Sequence, residues 1–194
     1  DVFVNGVATR EKVWVDAKAK NSFTFSAAKA PDLINLNPDG VIISEITESK
    51  TPEQYFMQYS GSKDFKARYL AAEDAAKNAD KNPTALKTLV AALKDPFFRI
   101  KIQALDALDL SNSDQAKMAL GEVEKLAQSD TKTLVQAAAI SALVKTNNAK
   151  YLPWFEKNMP AVSNAVKASS IAGLAMFDPS KASGLPERMD LIPA

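Results

Sequence analysis

The residues of this sequence that could carry acid–base or metal chemistry are carboxylates, because the chain contains neither histidine nor cysteine. Imidazole is the commonest general base at neutral pH, and imidazole and thiolate are the commonest zinc ligands. The carboxylates nearest to one another in sequence are Asp106 with Asp109, Glu122 with Glu124, and Glu73 with Asp74. A paired-carboxylate mechanism needs both acids in one cleft with separated pKa values, and the sequence indicates no such cleft. We therefore predict solvated structural roles on helix surfaces, with Glu73 paired to Lys77 and Glu122 to Lys125.

Nucleophile and nucleotide motifs are also missing. No G-x-S-x-G elbow occurs, and without histidine a serine nucleophile would need a lysine base. Neither a glycine-rich phosphate loop nor a dinucleotide fingerprint is present. We therefore predict that this chain is not itself an enzyme and holds no metal or other cofactor. A histidine-free hydrolase is a distant alternative.

Two cations, Arg99 and Lys101, lie close to the predicted N-terminus of a helix that follows Pro96, where positive charge is mildly unfavourable for the helix dipole. One interpretation is a solvated first turn, since surface cations seldom need a special role. The other is a patch that receives a peptide carboxylate.

The charge balance limits the classes of partner. Lys and Arg number 24 against 23 Asp and Glu, and no block of five like charges occurs, so we expect no nucleic-acid partner.

No apolar run is long enough for a membrane span. The absence of cysteine leaves the compartment open. Because the chain starts at Asp1 rather than Met, we expect a fragment of a longer protein.

Residues 1–48 carry patterns typical of β-strands. Asn5-Gly6 between valine-rich runs predicts a first hairpin, and the alternation around Trp14 and between Phe23 and Phe25 predicts two more strands. Residues 37–40 predict a turn that joins residues 33–36 to 41–43 in a second hairpin. So few short strands bury little surface, so we expect a small antiparallel sheet that leans on helices or forms the tail of a β-sandwich.

Residues 51–194 change to a helical period, as in the spacing of Leu86, Leu89, Val90 and Leu93. We predict roughly eight helices. Residues 134–144 are apolar nearly all round and should be buried between neighbours, whereas helices near 86–94 and 116–127 should form an outer layer. An aromatic cluster should seal the sheet against the helices, with a ligand groove as the alternative; it comprises Tyr55, Phe56, Tyr59, Phe65 and Tyr69.

A pattern of small and apolar residues recurs in this helical part at intervals of roughly 30 to 35 residues, the range of helix-pair repeats. The copies are Ala104-Leu105 with Ala107-Leu108, Ala139-Ile140 with Ala142-Leu143, and Ser170-Ile171 with Gly173-Leu174, after a weaker copy at Ala72 and Ala75. The predicted fold class is therefore mainly α: a HEAT-like α–α superhelix over residues 51–194, preceded by the β-rich segment 1–48.

The whole chain resembles the non-catalytic C-terminal part of zinc aminopeptidases of the aminopeptidase N family, especially the bacterial kind. The resemblance rests on residues 31–40 (PDLINLNPDG), Gln58-Tyr59, and residues 94–101 (KDPFFRIK) with Ala104-Leu105. In that family a β-sandwich follows the catalytic domain and leads into HEAT-like helices. The strand-then-helix order of this chain is similar to that junction.

The resemblance implies a zinc in the parent enzyme but none in this chain, because the family's H-E-x-x-H motif has no counterpart here. It also implies that the chain supports and caps the catalytic domain of the same parent chain and limits the access of peptide substrates. Leukotriene hydrolases of the family hold a substrate carboxylate with an Arg and a Lys whose spacing Arg99 and Lys101 resemble. The alternative function is an independent HEAT-like scaffold that binds a protein partner on its concave face.

Overall fold

A computed structural model of the chain describes residues 1–43 and 45–179, and it is mainly helical with one small antiparallel sheet. The chain divides into two compact units, Asp1–Ala92 and Leu93–Ala194. The first unit contains β1 (Val2–Val4), β2 (Val7–Thr9), β3 (Leu33–Ile34), α1 (Pro52–Gly61), α2 (Phe65–Asn78) and α3 (Pro83–Ala92). The described part of the second contains α4 (Phe98–Ala107), α5 (Ser113–Ser129), α6 (Thr133–Val144), a 3-10 turn (Ala149–Tyr151), α7 (Leu152–Lys157) and α8 (Asn164–Phe177). The predictions of a mainly helical fold and of roughly eight helices are confirmed.

The first hairpin forms as predicted. Strands β1 and β2 pair antiparallel, with Val4 opposite Val7, and the turn residues Asn5 and Gly6 have φ angles of 51° and 75°. Those left-handed angles match the twist of a two-residue hairpin. Strand β3 pairs with the other side of β1, so the strand order is β2-β1-β3.

Two of the predicted strands do not form. Residues 12–16, around Trp14, and residues 23–25 have irregular backbone without ladder pairing. A local turn separates them, in which the Lys18 N–H donates to the Asp16 carbonyl at 2.7 Å and the Asn21 side chain brackets the Asp16 backbone. Because the described residues supply no neighbouring strand to these segments, their alternating side chains alone do not produce a sheet.

The predicted second hairpin is also wrong, although its turn exists. The Gly40 N–H donates to the Asn37 carbonyl at 3.0 Å, and both residues have positive φ angles. The Asn37 carboxamide then binds the backbone of Ile42, accepting from its N–H at 3.1 Å and donating to its carbonyl at 2.7 Å. The N–H and the carbonyl of Ile42 are groups through which residues 41–43 would pair with a strand, and the Asn37 side chain occupies them. Strand β3 therefore pairs with β1 and not with residues 41–43.

The sheet is fixed to the helices by two apolar side chains of its inner face, Phe3 and Leu33, which lie opposite each other and are fully buried. The Phe3 ring packs on the backbone of Gly61 at the end of α1, so closely that a β-carbon there would lie 2.7 Å from the ring. The predicted aromatic seal is correct only in part, because Tyr59 is buried whereas Phe65 and Tyr69 are exposed, with their tilted rings 5.6 Å apart. The close contact between the Phe3 ring and Gly61 explains why a glycine suits the end of α1.

A buried ammonium group joins the linker before α1 to the rest of the first unit. The Lys50 side chain is only 4% exposed, and its Nζ donates to Glu48 Oε2 at 2.6 Å, Gln58 Oε1 at 2.7 Å and Asn35 Oδ1 at 3.3 Å. The fully buried Gln58 in turn donates to the Ala67 carbonyl at 2.8 Å. All three ammonium protons therefore have acceptors, as a buried cation requires.

In the second unit α6 packs against α4, α5 and α8, while α7 packs against α8. The prediction that residues 134–144 are buried between neighbours is confirmed for most of their side chains, with Leu134 as an exposed exception. Most of the small and apolar residues of the predicted repeat, including Ala104, Ala139 and Ser170, are buried, and they lie on or next to three helices that pack in the order α4, α6, α8. This arrangement is compatible with a helical repeat.

Substituting Gly173 by alanine should destabilise the second unit by about 1 to 3 kcal/mol, the range typical of overpacking. A β-carbon at Gly173 would lie 2.7 Å from Phe155 Cδ2 and 2.9 Å from Val144 Cγ2, so α6, α7 and α8 could not keep their packing. Urea unfolding followed by circular dichroism measures the change in the free energy of unfolding.

Gly121→Ala is the matched control, because nothing lies within 4 Å of a β-carbon at that position in α5. Replacing a helix-interior glycine there should stabilise the protein by about 0.5 to 1 kcal/mol. A Gly173→Ala protein as stable as the unsubstituted protein would show that these three helices do not pack as closely as described.

Candidate functional site

The two candidate carboxylate-binding cations, Arg99 and Lys101, occupy the first turn of α4 as predicted, but they have different surroundings. Arg99 is exposed, with its guanidinium carbon 5.5 Å from the centroid of the neighbouring Phe98 ring. Lys101 is partly buried and donates to Asp130 Oδ2 at 2.7 Å. Residues two apart on a helix project from different sides of it, and the fully buried Ile100 lies between these two in sequence. The structure therefore does not bring the two cations to one point.

Lys101 lines a cleft of about 440 Å³ in the second unit, and Arg99 does not. Lys94 and Lys125 also line it, and their ammonium groups lie 3.7 and 3.6 Å from the Glu122 carboxylate. Burial would raise the pKa of Asp130, but the hydrogen bonds from Lys101 and from the Lys132 N–H outweigh it and hold that pKa below its ordinary value. Lys101 is thus neutralised by an ionised partner, and its role in binding a peptide carboxylate stays a prediction.

The carboxylates have separate structural partners. Glu73 pairs with Lys77 on the surface, and Glu122 pairs with Lys125, as the sequence predicted, but the Glu122 side chain is only 17% exposed. Asp109 accepts hydrogen bonds from the N–H and the hydroxyl of Ser111, which lower its pKa. These contacts position loops and helix surfaces, and within the described residues no three Asp or Glu side chains converge as metal ligands would.

The most unusual surface of the first unit is apolar. Seven apolar side chains that line one cavity of about 410 Å³ are about half exposed to water, between 43% and 55%. We call this surface the apolar face; its residues are Val13, Val15, Phe23, Phe25, Ile34, Leu36 and Ile42. An adjoining cavity of about 700 Å³ adds Trp14, 85% exposed, and Val41, 78% exposed. Contiguous apolar surface of this kind marks an interaction site more often than a free surface.

The alternation in the sequence correctly grouped the residues of this face. Val13 with Val15, and Phe23 with Phe25, have the period-two spacing of residues on one side of a strand, and all four line the same cavity. Strand β2, at one edge of the sheet, is also exposed at all three of its residues. The sequence therefore indicated which side chains lie together, but not that they would lack a cover among the described residues.

A second surface that the sequence did not indicate is a groove of about 400 Å³ between the end of α5, α6 and α7. Its wall includes Trp154, whose ring lies edge-on to Tyr151 with the ring centroids 5.2 Å apart. The buried Tyr151 hydroxyl donates to Glu124 Oε1 at 2.6 Å, and Lys150 donates to the same oxygen at 3.0 Å. This contact ties the start of α7 to α5 and so positions the groove.

Comparison with known proteins identifies no relative, since no family model, curated protein or solved structure matches the chain. None of the helices in the described residues combines the length and apolar character that a membrane crossing needs. The interpretation of the surfaces therefore rests on their residues and geometry.

The Glu124–Tyr151 contact should give the second unit a measurable pH dependence. The hydrogen bond from Tyr151, helped by Lys150 and opposed by partial burial, holds the pKa of Glu124 below its ordinary value near 4.5. Because the folded pKa is the lower one, the stabilisation is complete above the unfolded pKa and is lost as the pH falls through the folded pKa. Glu124→Gln should therefore destabilise the protein at pH 7 and have a smaller effect at acidic pH, measured by urea unfolding across pH.

Tyr151→Phe provides the control, because it removes the hydroxyl that donates to Glu124 and keeps the ring beside Trp154. In that background the pH-dependent part of the Glu124→Gln effect should shrink to the contribution of Lys150. An effect of Glu124→Gln that is independent of pH, or one that is unchanged by Tyr151→Phe, would contradict the assigned contact.

Proposed function

We propose that this chain is the non-catalytic C-terminal portion of a zinc aminopeptidase of the aminopeptidase N family. In that role it supports and caps the catalytic domain of the same parent chain and limits the access of peptide substrates. The observation that carries the proposal is the apolar face of the first unit. A surface with so many exposed Val, Ile, Leu and Phe side chains is unfavourable in water and favours burial against another structure.

The form of the apolar face suggests what covers it. The segments that supply Val13, Val15, Phe23 and Phe25 alternate with period two, the pattern of strands with one buried side. Their backbone has no ladder partner within residues 1–43, and β2 leaves one edge of the sheet open. A cover made of β-strands would bury the apolar side chains and also pair the backbone groups. In the proposed function these strands belong to the preceding part of the same polypeptide.

The resemblance in sequence supports the proposed identity of the parent. Residues 31–40 include β3 and the Asn37 turn, and residues 94–101 lead into the first turn of α4, so the two stretches that carry the resemblance lie where strands and helices begin. The residues of this chain do not fit a zinc site, because histidine and cysteine are absent and the described carboxylates do not converge. In the proposed parent, zinc and the catalytic groups are held by residues outside this sequence.

Introducing charge into the apolar face should have different consequences in the isolated chain and in the longer polypeptide. In the isolated chain, Val13→Asp with Ile42→Asp should reduce self-association and dye binding, and should change stability by less than about 1 kcal/mol, because both side chains are half exposed. In the longer polypeptide the same substitutions should destabilise by several kcal/mol, since they bury unpaired carboxylates. Sedimentation velocity and thermal unfolding provide the measurements, with peptidase activity followed in the longer polypeptide.

Val162→Asp is the matched control, because Val162 is fully exposed in the second unit and outside this face. It should leave both proteins unchanged. Equal tolerance of the paired substitutions in the isolated chain and in the longer polypeptide would rule out the docking role. A reading frame that encodes this chain without an upstream H-E-x-x-H motif would rule out the zinc aminopeptidase.

A further inference from the structure

The turn of the first hairpin contains an asparagine in a chemically labile context. Asparagine is a thermolabile residue, because the N–H nitrogen of the following residue can attack its carboxamide. Asn5 is the one asparagine of the sequence that precedes a glycine, which has no side chain to hinder that attack. Both residues are exposed, and nothing lies within 4 Å of the position that a β-carbon of Gly6 would take. The turn therefore has room for the ring that the attack forms.

The Asn5 carboxamide is also free to move. It makes no hydrogen bond among the residues that the structure describes. Asn21 precedes a serine, but both polar groups of its side chain are bound to the Asp16 backbone, at 3.0 and 3.2 Å. Asn112, also before a serine, caps α5 by accepting from the Asp114 N–H at 2.9 Å. Asn5 thus combines the most reactive neighbour with an unbound side chain.

The backbone of the turn, in contrast, is held by a carboxylate. The Asn5 N–H donates to Asp32 Oδ2 at 2.6 Å. The hydrogen bond from the Lys29 ammonium is the largest cause of a lowered pKa at Asp32, and the N–H groups of Asn5 and Gly6 add to it against desolvation. The ionised carboxylate therefore binds the Gly6 N–H, and its negative charge opposes the loss of that proton. Attack by the Gly6 nitrogen requires this contact to open.

We propose that Asn5 is a site of spontaneous deamidation, which the Asp32 carboxylate holds in check. When the turn opens, the Gly6 nitrogen gives its proton to a solvent base and attacks Asn5 Cγ. The new bond between that nitrogen and Cγ replaces the bond from Cγ to Nδ2, which takes a proton from solvent and leaves as ammonia. The product is a cyclic succinimide.

Water then opens the succinimide in one of two ways. Addition at Cγ breaks its bond to the Gly6 nitrogen and gives an aspartate with the original backbone. Addition at the main-chain carbonyl carbon breaks the other bond to that nitrogen and gives an isoaspartate, whose backbone runs through the former side chain. Both products carry a carboxylate in place of the carboxamide.

The isoaspartyl product would disrupt the first hairpin. Its backbone is longer by one methylene, so the two-residue turn can no longer join Val4 to Val7 in register. The new carboxylate would also lie near Asp32, where like charges repel. Deamidation at Asn5 therefore acts as a slow, irreversible switch on the pairing of β1 with β2. This inference goes beyond the proposed function and does not depend on what covers the apolar face.

The test is to incubate the purified chain for several weeks in mildly alkaline buffer at physiological temperature and then to map its peptides by mass spectrometry. We expect a gain of about 1 Da at Asn5, in two products with different retention, and no comparable gain at Asn21. In urea the unfolded chain should react at Asn5 at least about tenfold faster, because the contact with Asp32 is then absent.

Asp32→Ala tests the restraint in the folded chain. It should raise the rate at Asn5 by at least about threefold, since it removes the hydrogen bonds that hold the turn closed. Asp16→Ala is the matched control, because Asp16 is likewise a carboxylate paired with a lysine, Lys18 at 2.7 Å, and lies outside the turn. Circular dichroism shows whether each variant is folded.

Asn5→Gly tests the consequence for the hairpin. Glycine accepts the positive φ angle at this position and supplies no carboxamide. The amide signals of β1 and β2 in nuclear magnetic resonance spectra should therefore stay unchanged in this variant over the same incubation, whereas a growing fraction of them should shift in the unsubstituted chain.

The absence of a mass gain at Asn5 would overturn the proposal, as would amide signals of β1 and β2 that stay unchanged after the isoaspartyl product has formed. A rate at Asn5 that is equal in the folded and the urea-unfolded chain, or equal in Asp32→Ala and Asp16→Ala, would show that the Asp32 contact restrains nothing.

Discussion

Every interpretation of the first unit depends on one mismatch between side chains and backbone. Residues 12–25 carry the alternation of strands, and their apolar side chains gather on one face, yet their amides and carbonyls pair with no neighbouring strand among the described residues. Apolar surface and open backbone both favour the same remedy, which is a sheet laid against this face. This mismatch is therefore the basis for proposing that the small, poorly enclosed sheet is a docking surface.

The helices supply the rigidity that such a surface needs. In the first unit the buried Lys50 ammonium connects Asn35, at the end of β3, to Gln58 on α1, and Gln58 connects to the backbone of α2. Phe3 packs on Gly61 and fixes the sheet to the same helix. In the second unit the contact of Phe155 and Val144 with Gly173 holds α6, α7 and α8 together, and the Tyr151 hydroxyl fixes α7 to α5. Each surface is thus supported by buried contacts behind it.

Features set by a few neighbouring residues could be predicted from the sequence. The Asn5-Gly6 hairpin depends on two residues that accept positive φ angles, and the helices follow from their period and their caps, such as Asn82 before α3. The all-round apolar character of residues 134–144 correctly placed α6 between neighbours. In each case the physical cause lies within one segment.

Features that require a partner distant in sequence were missed. Strand formation at residues 12–16 and 23–25 needs neighbouring strands, which the alternation cannot supply, and the second hairpin failed because the Asn37 carboxamide bound the Ile42 backbone. Arg99 and Lys101 are close in sequence, which suggested one site. Residues two apart project from different sides of a helix, and Lys101 is paired with Asp130, so the two cations have separate surroundings. The Lys50 contacts and the groove between the end of α5, α6 and α7 arise only where separate segments meet, so no local pattern indicates them.

The most direct test of the docking role is hydrogen–deuterium exchange at the amides of residues 12–16 and 23–25. In the isolated chain these amides, which have no ladder partner, should exchange rapidly apart from that of Asp16, whose N–H donates to Asn21 Oδ1 at 3.2 Å. The amides of α6 should be protected. In the longer polypeptide, pairing with the covering sheet should slow exchange at residues 12–16 and 23–25 by at least about a hundredfold. Equally rapid exchange of these amides in both proteins would contradict a covered apolar face.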